Sequence, residues 1–509
     1  MKGALLVCGT SSDAGKSVVT AALCRFLARR GVRVAPFKAQ NMALNSAVTA
    51  AGEEIGRAQT AQAQAAGVAS EVAMNPILLK PSGERHSQVV VLGRPYADVD
   101  AVGYRRLKRE LMPVVLDALA DLRGRFDVVV CEGAGSPAEI NLRDGDLVNM
   151  GLARAAELPV VLVADIDRGG VFASLYGTLA LLEADDQRLV GGYLINKFRG
   201  DRRLLEPGLE QLAELTGRPA LGVLPWLRGL WLDVEDSLAL EAPRDGAIPP
   251  LGRDGLEVAV VRLRWMSNFT DFDALASEPG VAVRFTQSPT DVRDADLVVL
   301  PGTKATVEDL AFLRARRLDG ALRARAERER PLLALCGGYQ MLGRKIVDHL
   351  ESGAGEVEGL ALLPVETRFA PEKTLATPAG RAPAFGDAPV TGYEIHHGVV
   401  ERDGGEPLFL TMPGEEGCRS GSIVATSWHG ALESDRFRRA LLGWVADLGG
   451  LDWRPGTRSF AEVREERLDR LGDLIEQNAD TEALLDLIEN GPPPDLPLLA
   501  PGALVCSFS

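Results

Sequence analysis

The chain has 509 residues, 46% of them hydrophobic and 25% charged, a length and balance that predict a soluble, globular protein of two domains with an appendage. A formal net charge of −15 excludes a broad nucleic-acid surface, which needs a basic face, and no apolar run approaches the ~18 residues of a membrane helix. Six cysteines stand apart without a CxxC pair, which argues against a zinc site or disulfide framework and for a reducing cytoplasm, with no secretory leader.

Residues 4–8 (ALLVC) read as a strand, 17–30 as a helix ended by Gly31, and 33–37 as a second strand. DVVVC at 127–131, PVVLVA at 159–164 and GGYLIN at 191–196 continue the series. Strands rich in Val and Leu, separated by helical stretches, predict a mostly parallel sheet covered on both faces over 1–240. The Pro-, Gly- and charge-rich segment 241–255 reads as a linker. A second alternating series, LEVAVV at 256–261, ADLVVLPG at 295–302 and PLLALC at 331–336, predicts a second α/β domain over 256–455. From 456 to 509 the pattern turns helical and charged, and its end, PPPDLPLLAPGALVCSFS, is expected to be poorly ordered or docked as an extended segment.

Two motifs carry chemistry. GTSSDAGKS at 9–17 lies between a predicted strand and helix, the setting of a phosphate-cradling loop. Its backbone N–H groups, around Thr10, Asp13 and Gly15, can face phosphates at the helix N-terminus. Lys16 can reach the β- and γ-phosphates of ATP, and Ser17 can ligate Mg²⁺. Thr10 stands where the first glycine of the usual P-loop spacing would be, with Gly9 one residue earlier. Glu132, at the end of DVVVC, is the candidate carboxylate for Mg²⁺; a solvated loop acid is the other reading. Asn196, followed by Lys197, is the candidate purine reader; a turn-capping amide is the alternative.

The second motif, ALCGGYQ at 334–340, places Cys336 after a buried strand, where a sharp turn into a helix exposes a nucleophile and favours its thiolate. The N–H groups of Gly337 and of Gly302, in LPGTKAT, are candidate oxyanion donors. Among five histidines, His429 in IVATSWHG sits at a predicted strand end and is the expected base; His396 and His397 are the rivals. The third member of the triad stays open between Glu433, Glu394 and none. One site that releases ammonia and another that activates a carboxylate with ATP together imply a glutamine-dependent amide ligase. A regulatory P-loop ATPase with a degenerate glutaminase half is disfavoured by intact Cys336 and His429, and by Ser11 where partitioning ATPases carry a second lysine.

With these residues in place, the chain resembles the cobyric acid synthase family. The likeness rests on GTSSDAGKS, PFKAQNMALNS, EGAGSPAEINLRDGDLVNMGLA, VADIDRGGVFASL, INKFRGD, LPGTKAT, LCGGYQMLG and GYEIHHG. It implies a dethiobiotin-synthetase-like P-loop domain and a flavodoxin-like class I glutamine amidotransferase domain. It also implies a corrinoid substrate, adenosylcobyrinic acid a,c-diamide, amidated at its b, d, e and g carboxylates with ATP, Mg²⁺ and glutamine, in a monomer or homodimer. Asp146 then matches an acidic catalytic position, with an exposed acidic turn as the alternative. Lys38, Gln40, Asn41, Asn45 and Arg168 are expected to face substrate, or, for Asn41 and Asn45, to cap structure. The runner-up is cobyrinic acid a,c-diamide synthase, against which KAQNMALNS argues. The tail beyond Arg458 is expected to exceed the shared core.

Overall fold

The computed structural model describes residues 1–81, 86–227, 248–412 and 414–500. Residues 241–247 of the predicted linker 241–255, as well as Cys506, lie outside them.

The first half is built on a parallel sheet of six strands: β1 (Gly3–Gly9), β2 (Val34–Phe37), β3 (Val128–Glu132), β4 (Val160–Asp165), β5 (Val190–Phe198) and β6 (Ala220–Pro225), in the order β6-β5-β4-β1-β3-β2. Its strands are apolar on both faces because both are covered. Leu5, Val7 and Val130 pack on the side of helix α1 (Lys16–Arg29), while Leu6, Cys131 and Leu162 pack on the other. Parallel pairing sets the carboxyl ends of β1, β3, β4 and β5 side by side, so the phosphate loop, Glu132, Asp165 and Asn196 collect at one edge.

The second half repeats the principle with β7 (Leu256–Val261), β8 (Val281–Thr286), β9 (Leu297–Leu300), β10 (Leu332–Leu335), β11 (Cys418–Ser420) and β12 (Ile423–Thr426), in the order β8-β7-β9-β10-β12-β11. Only β11 runs antiparallel to its neighbour. A further sheet containing the antiparallel strands Val365–Ala376 and Glu394–Arg402 flanks it.

The tail is not an appendage. Helices α4 (Phe460–Asn478) and α5 (Thr481–Asn490) bury Leu471, Ile475 and Leu484 in the core beneath α1 and the first sheet. Here α3 is the short helix Gly337–Leu342 after β10, and α2 (Arg57–Ala65) packs beside α1. Beyond α5 the chain docks as an extended segment. The N–H of Leu499 donates to Gln187 Oε1 at 2.7 Å, and the Pro497 carbonyl accepts from Arg218. Among the described residues no helix is long and apolar enough to cross a membrane.

Candidate active sites

At the first edge, Gly15 caps α1 with φ +98°, and a Cβ there would stand 2.0 Å from Asn196 Nδ2. Only glycine allows that turn. Lys16 lies curled over the loop, donating to the carbonyls of Ser11 and Gly135 at 3.2 Å each. The Ser17 hydroxyl donates to Glu132 Oε1 at 2.7 Å, Lys38 reaches the same oxygen at 3.0 Å, and Gln62 Nε2 donates to Oε2 at 2.5 Å. Glu132 is therefore buried rather than a solvated loop acid. Burial would raise its carboxyl, but the Lys38 ammonium, with Ser17 and Gln62, outweighs that and holds it below the usual range.

Asn196 Nδ2 donates to the Ala14 carbonyl at 3.0 Å, bracing the loop from behind. Thr10 extends the β1–β4 pairing through its N–H to Val163. On the rim, Asp13 takes Arg168 at 3.2 Å on its carboxylate and Lys197 at 2.7 Å on its carbonyl, and Lys197 also pairs with Asp165 at 2.8 Å. A hydroxyl beside a carboxylate is a suitable donor set for Mg²⁺, which takes one or two protein ligands and completes its shell with phosphates and water. Among the described residues no group of three His, Cys, Asp or Glu could hold a metal by itself.

At the second edge, Cys336 occupies the turn between β10 and α3 with φ +47°, an uncommon value for a non-glycine residue and one that lifts its thiol out of the sheet. Gly338 permits the turn, because a Cβ there would meet the Leu300 carbonyl at 2.2 Å. The His429 imidazole acts electrostatically on the thiol, and its Nδ1 donates to Asp271 Oδ2 at 2.7 Å, while the N–H of Gly430 donates to Oδ1 at 2.8 Å. Gly302 lies against the imidazole; a Cβ there would be 2.7 Å from His429 Cε1. Burial pushes the Cys336 thiol up, but His429 and the Gly337 N–H pull it below its ordinary value. Burial pushes His429 down, but Asp271 and Cys336 raise it well above the usual imidazole range. Each group thus favours the charged form of the other.

On the side of His396, whose charge reaches Cys336, opens a cavity of about 430 Å³ lined by Tyr339, Glu394, His396, Arg402, Glu416 and Ser427 among others. Neither predicted third carboxylate reaches His429. Glu394 faces His396 Nε2 at 3.3 Å, and Glu433 pairs with Arg57 at 2.6 Å and Arg464 at 2.9 Å. His397 is turned to the Ala370 carbonyl.

Proteins of known sequence settle the lineage. "Cobyric acid synthase" of Frankia casuarinae is 59% identical, covering 99% of this chain and 100% of its own, and that of Streptomyces avermitilis is 58% identical at the same coverage. This chain belongs to the cobyric acid synthase family. A family model described as "CobQ/CobB/MinD/ParA nucleotide binding domain" matches residues 5–238, and one described as "CobB/CobQ-like glutamine amidotransferase domain" matches 257–437. A solved glutamine amidotransferase aligns with 38% of the chain and 99% of its own, at 20% identity and a TM-score of 0.31, which adds no weight. The family makes this an amidotransferase ligase with a nucleotide-binding half, acting in cobalamin biosynthesis. Coverage of 99% also corrects one expectation: nearly all of the tail beyond Arg458 is matched in these cobyric acid synthases.

The residues expected to face substrate scatter. Lys38 is buried against Glu132. Asn41 donates to Gln59 at 2.9 Å and is buried. Asn45 accepts from the N–H of Phe269 at 3.1 Å, across the junction of the halves, while Asn268 accepts from the N–H of Ser46 at 3.1 Å in return. Gln40, bonded to Tyr104, stays half-buried at the surface, and Arg168 is exposed on the rim. Asp146 is oriented by its own loop. Its carboxylate accepts from the N–H groups of Val148, Asn149 and Gly151 at 2.9–3.0 Å. The sequence reading missed Asp271, Gln62 and Asp165.

Proposed function

We propose that this chain amidates the b, d, e and g carboxylates of adenosylcobyrinic acid a,c-diamide to give cobyric acid, using ATP, Mg²⁺ and glutamine. The observation that carries the reading is the buried Cys336–His429–Asp271 constellation, in one chain with the Gly15–Ser17 cradle and its Glu132 partner.

In this reading the Cys336 thiolate attacks the glutamine side-chain carbonyl, and His429 passes its proton to the departing ammonia. The N–H groups of Gly337 and Gly302 hold the oxyanion. A water deprotonated by His429 then releases glutamate from the thioester. Asp271 keeps the imidazole in one tautomer and offsets its charge. The cavity beside His396 takes the amino-acid end of glutamine, where Glu394 and Glu416 suit its ammonium group.

At the other edge the loop N–H groups and Lys16 hold the ATP phosphates, and Ser17 with Glu132 would hold Mg²⁺. The ion would supply charge neutralisation at the phosphates. A substrate carboxylate oxygen takes the γ-phosphoryl group as ADP departs, giving an acyl phosphate. Ammonia attacks the acyl carbon, and inorganic phosphate leaves as the amide forms.

The test is mass spectrometry of the diamide incubated with enzyme, ATP, Mg²⁺ and glutamine. Four successive replacements of OH by NH₂ are expected. Turnover of the unamidated acid alone would transfer the reading to the a,c-diamide synthase reaction.

A further inference from the structure

The base His429 is held by more than its own domain. Tyr393 and His429 exchange both backbone hydrogen bonds at 2.9 Å, and their rings stack with centroids 5.6 Å apart at 29°. The Arg57 guanidinium, at the first turn of α2, lies 5.9 Å from the Tyr393 ring centroid, within cation–π range. The same guanidinium donates to Glu433 Oε1 at 2.6 Å. Glu433 ends the 3₁₀ turn Ala431–Glu433 that follows His429 and Gly430, and Arg464 of α4 reaches it at 2.9 Å. Burial would raise the Glu433 carboxyl, but the two guanidiniums outweigh it and hold it at about 2. One carboxylate therefore ties three parts of the chain: α2 from the nucleotide side, the turn behind the base, and the tail. Helix α2 reaches the other site as well, through Gln62 on Glu132.

We propose that Arg57 is a positioning residue for the glutaminase base, acting through Glu433 and Tyr393 with Arg464 as its partner. This rests on the glutaminase reading above. Arg57 does not touch the reacting atoms. Ion-pairing to Glu433 anchors the chain just after His429, and lying over Tyr393 it anchors the ring stacked on the imidazole. Without it the imidazole loses two of its supports, while Asp271 and Cys336 still face it, with His396 nearby. The proton then reaches the departing ammonia from a poorer angle, and the thiolate loses its counter-charge. Binding of glutamine, in the cavity beside His396, is not disturbed. The nucleotide half thus supplies part of the framework of the ammonia-producing site, so that an intact junction is a condition of ammonia release.

The experiment compares the full chain with its Arg57→Met, Arg57→Lys and Glu433→Gln forms. It measures kcat and KM for glutamine, alkylation of Cys336 by iodoacetamide against pH, and ammonia-driven amidation. Arg57→Met is expected to lower glutaminase kcat on the order of 10²-fold, the scale of a misplacement of about 1 Å. KM should stay near the native value, the alkylation limb should move to higher pH, and ammonia-driven amidation should persist. Arg57→Lys should recover part of kcat. A native kcat and alkylation profile in Arg57→Met overturns the proposal. If Arg57→Met does not fold, Glu433→Gln decides: a lowered kcat with a shifted alkylation profile supports the proposal, and native values overturn it. A native chain that does not hydrolyse glutamine, or a Cys336→Ser form that still does, overturns the glutaminase reading itself and this proposal with it.

Discussion

Asp271 Oδ2 accepts from His429 Nδ1 at 2.7 Å while the other carboxylate oxygen accepts from the N–H of Gly430, so one acid fixes both the ring and the backbone beside it. Replacing Asp271 with Asn keeps the size but removes the charge and allows the wrong tautomer. Glutamine-driven kcat should fall by about 10²–10⁴-fold, the range for a tautomer-fixing acid. Ammonia-driven amidation, which bypasses Cys336, should continue. A glutaminase assay run beside an ammonia-supplied amidation assay checks both halves of the expectation.

Gly15→Ala tests the phosphate cradle. The new methyl would sit 2.0 Å from Asn196 Nδ2 at a φ of +98°. Backbone strain of this kind costs about 1–3 kcal/mol, and the loop must also give up its brace from Asn196. ATP affinity measured by calorimetry should weaken at least about tenfold, with glutaminase activity intact. An unchanged Kd would show that the loop does not hold the nucleotide.

How much of this the sequence discloses follows from how local each signal is. The phosphate loop and the Cys336 elbow are contiguous motifs between a strand and a helix, so the fold class, Lys16, Ser17 and Cys336 are legible from spacing alone. His429 is legible because it ends a strand in a chain with few histidines. Asp271 is not: it lies 158 residues from His429 and joins it only when β7 and β12 enter the same sheet. The pair Asp271 and Asp273 in NFTDFDALA was the available signal, but it named no partner. Asn45 shows the opposite failure. An amide suits a substrate or a backbone equally, and only the tertiary contact with Phe269 decides between them.

Glu416 contributes a pH dependence to stability. Burial pushes its carboxyl up to about 7 from the ordinary 4.5, although Ser427 N–H and the Thr426 hydroxyl each donate to it at 2.7 Å. A group raised on folding contributes its full stability below the unfolded pKa and loses it as pH rises through the folded one. The loss therefore falls between about pH 4.5 and 7 and amounts to on the order of 3 kcal/mol. Glu416→Gln removes that loss. Its Tm should exceed the native value at pH 8 and approach it at pH 4, as followed by calorimetry across the range. Equal pH dependence in both proteins would assign the slope to other groups.

The tail should behave as core. Leu471 is fully buried beneath α1, in the same cluster as Val7 of β1 and Val19 of the phosphate-loop helix. Outside that cluster, Arg25 meets Glu465 and Asp469 at 2.8–2.9 Å, and Arg29 meets Asp473 at 2.6 Å. Surface pairs of this kind contribute at most about 1 kcal/mol each, so the apolar contact dominates. Leu471→Ala should cost about 2–5 kcal/mol, the cavity cost of a buried leucine, read from chemical denaturation. A triple charge reversal at Glu465, Asp469 and Asp473 should cost less than that single side-chain truncation. The reverse order would mean that α4 is held by its charges, and the tail could then detach from α1 at high salt without unfolding the sheet.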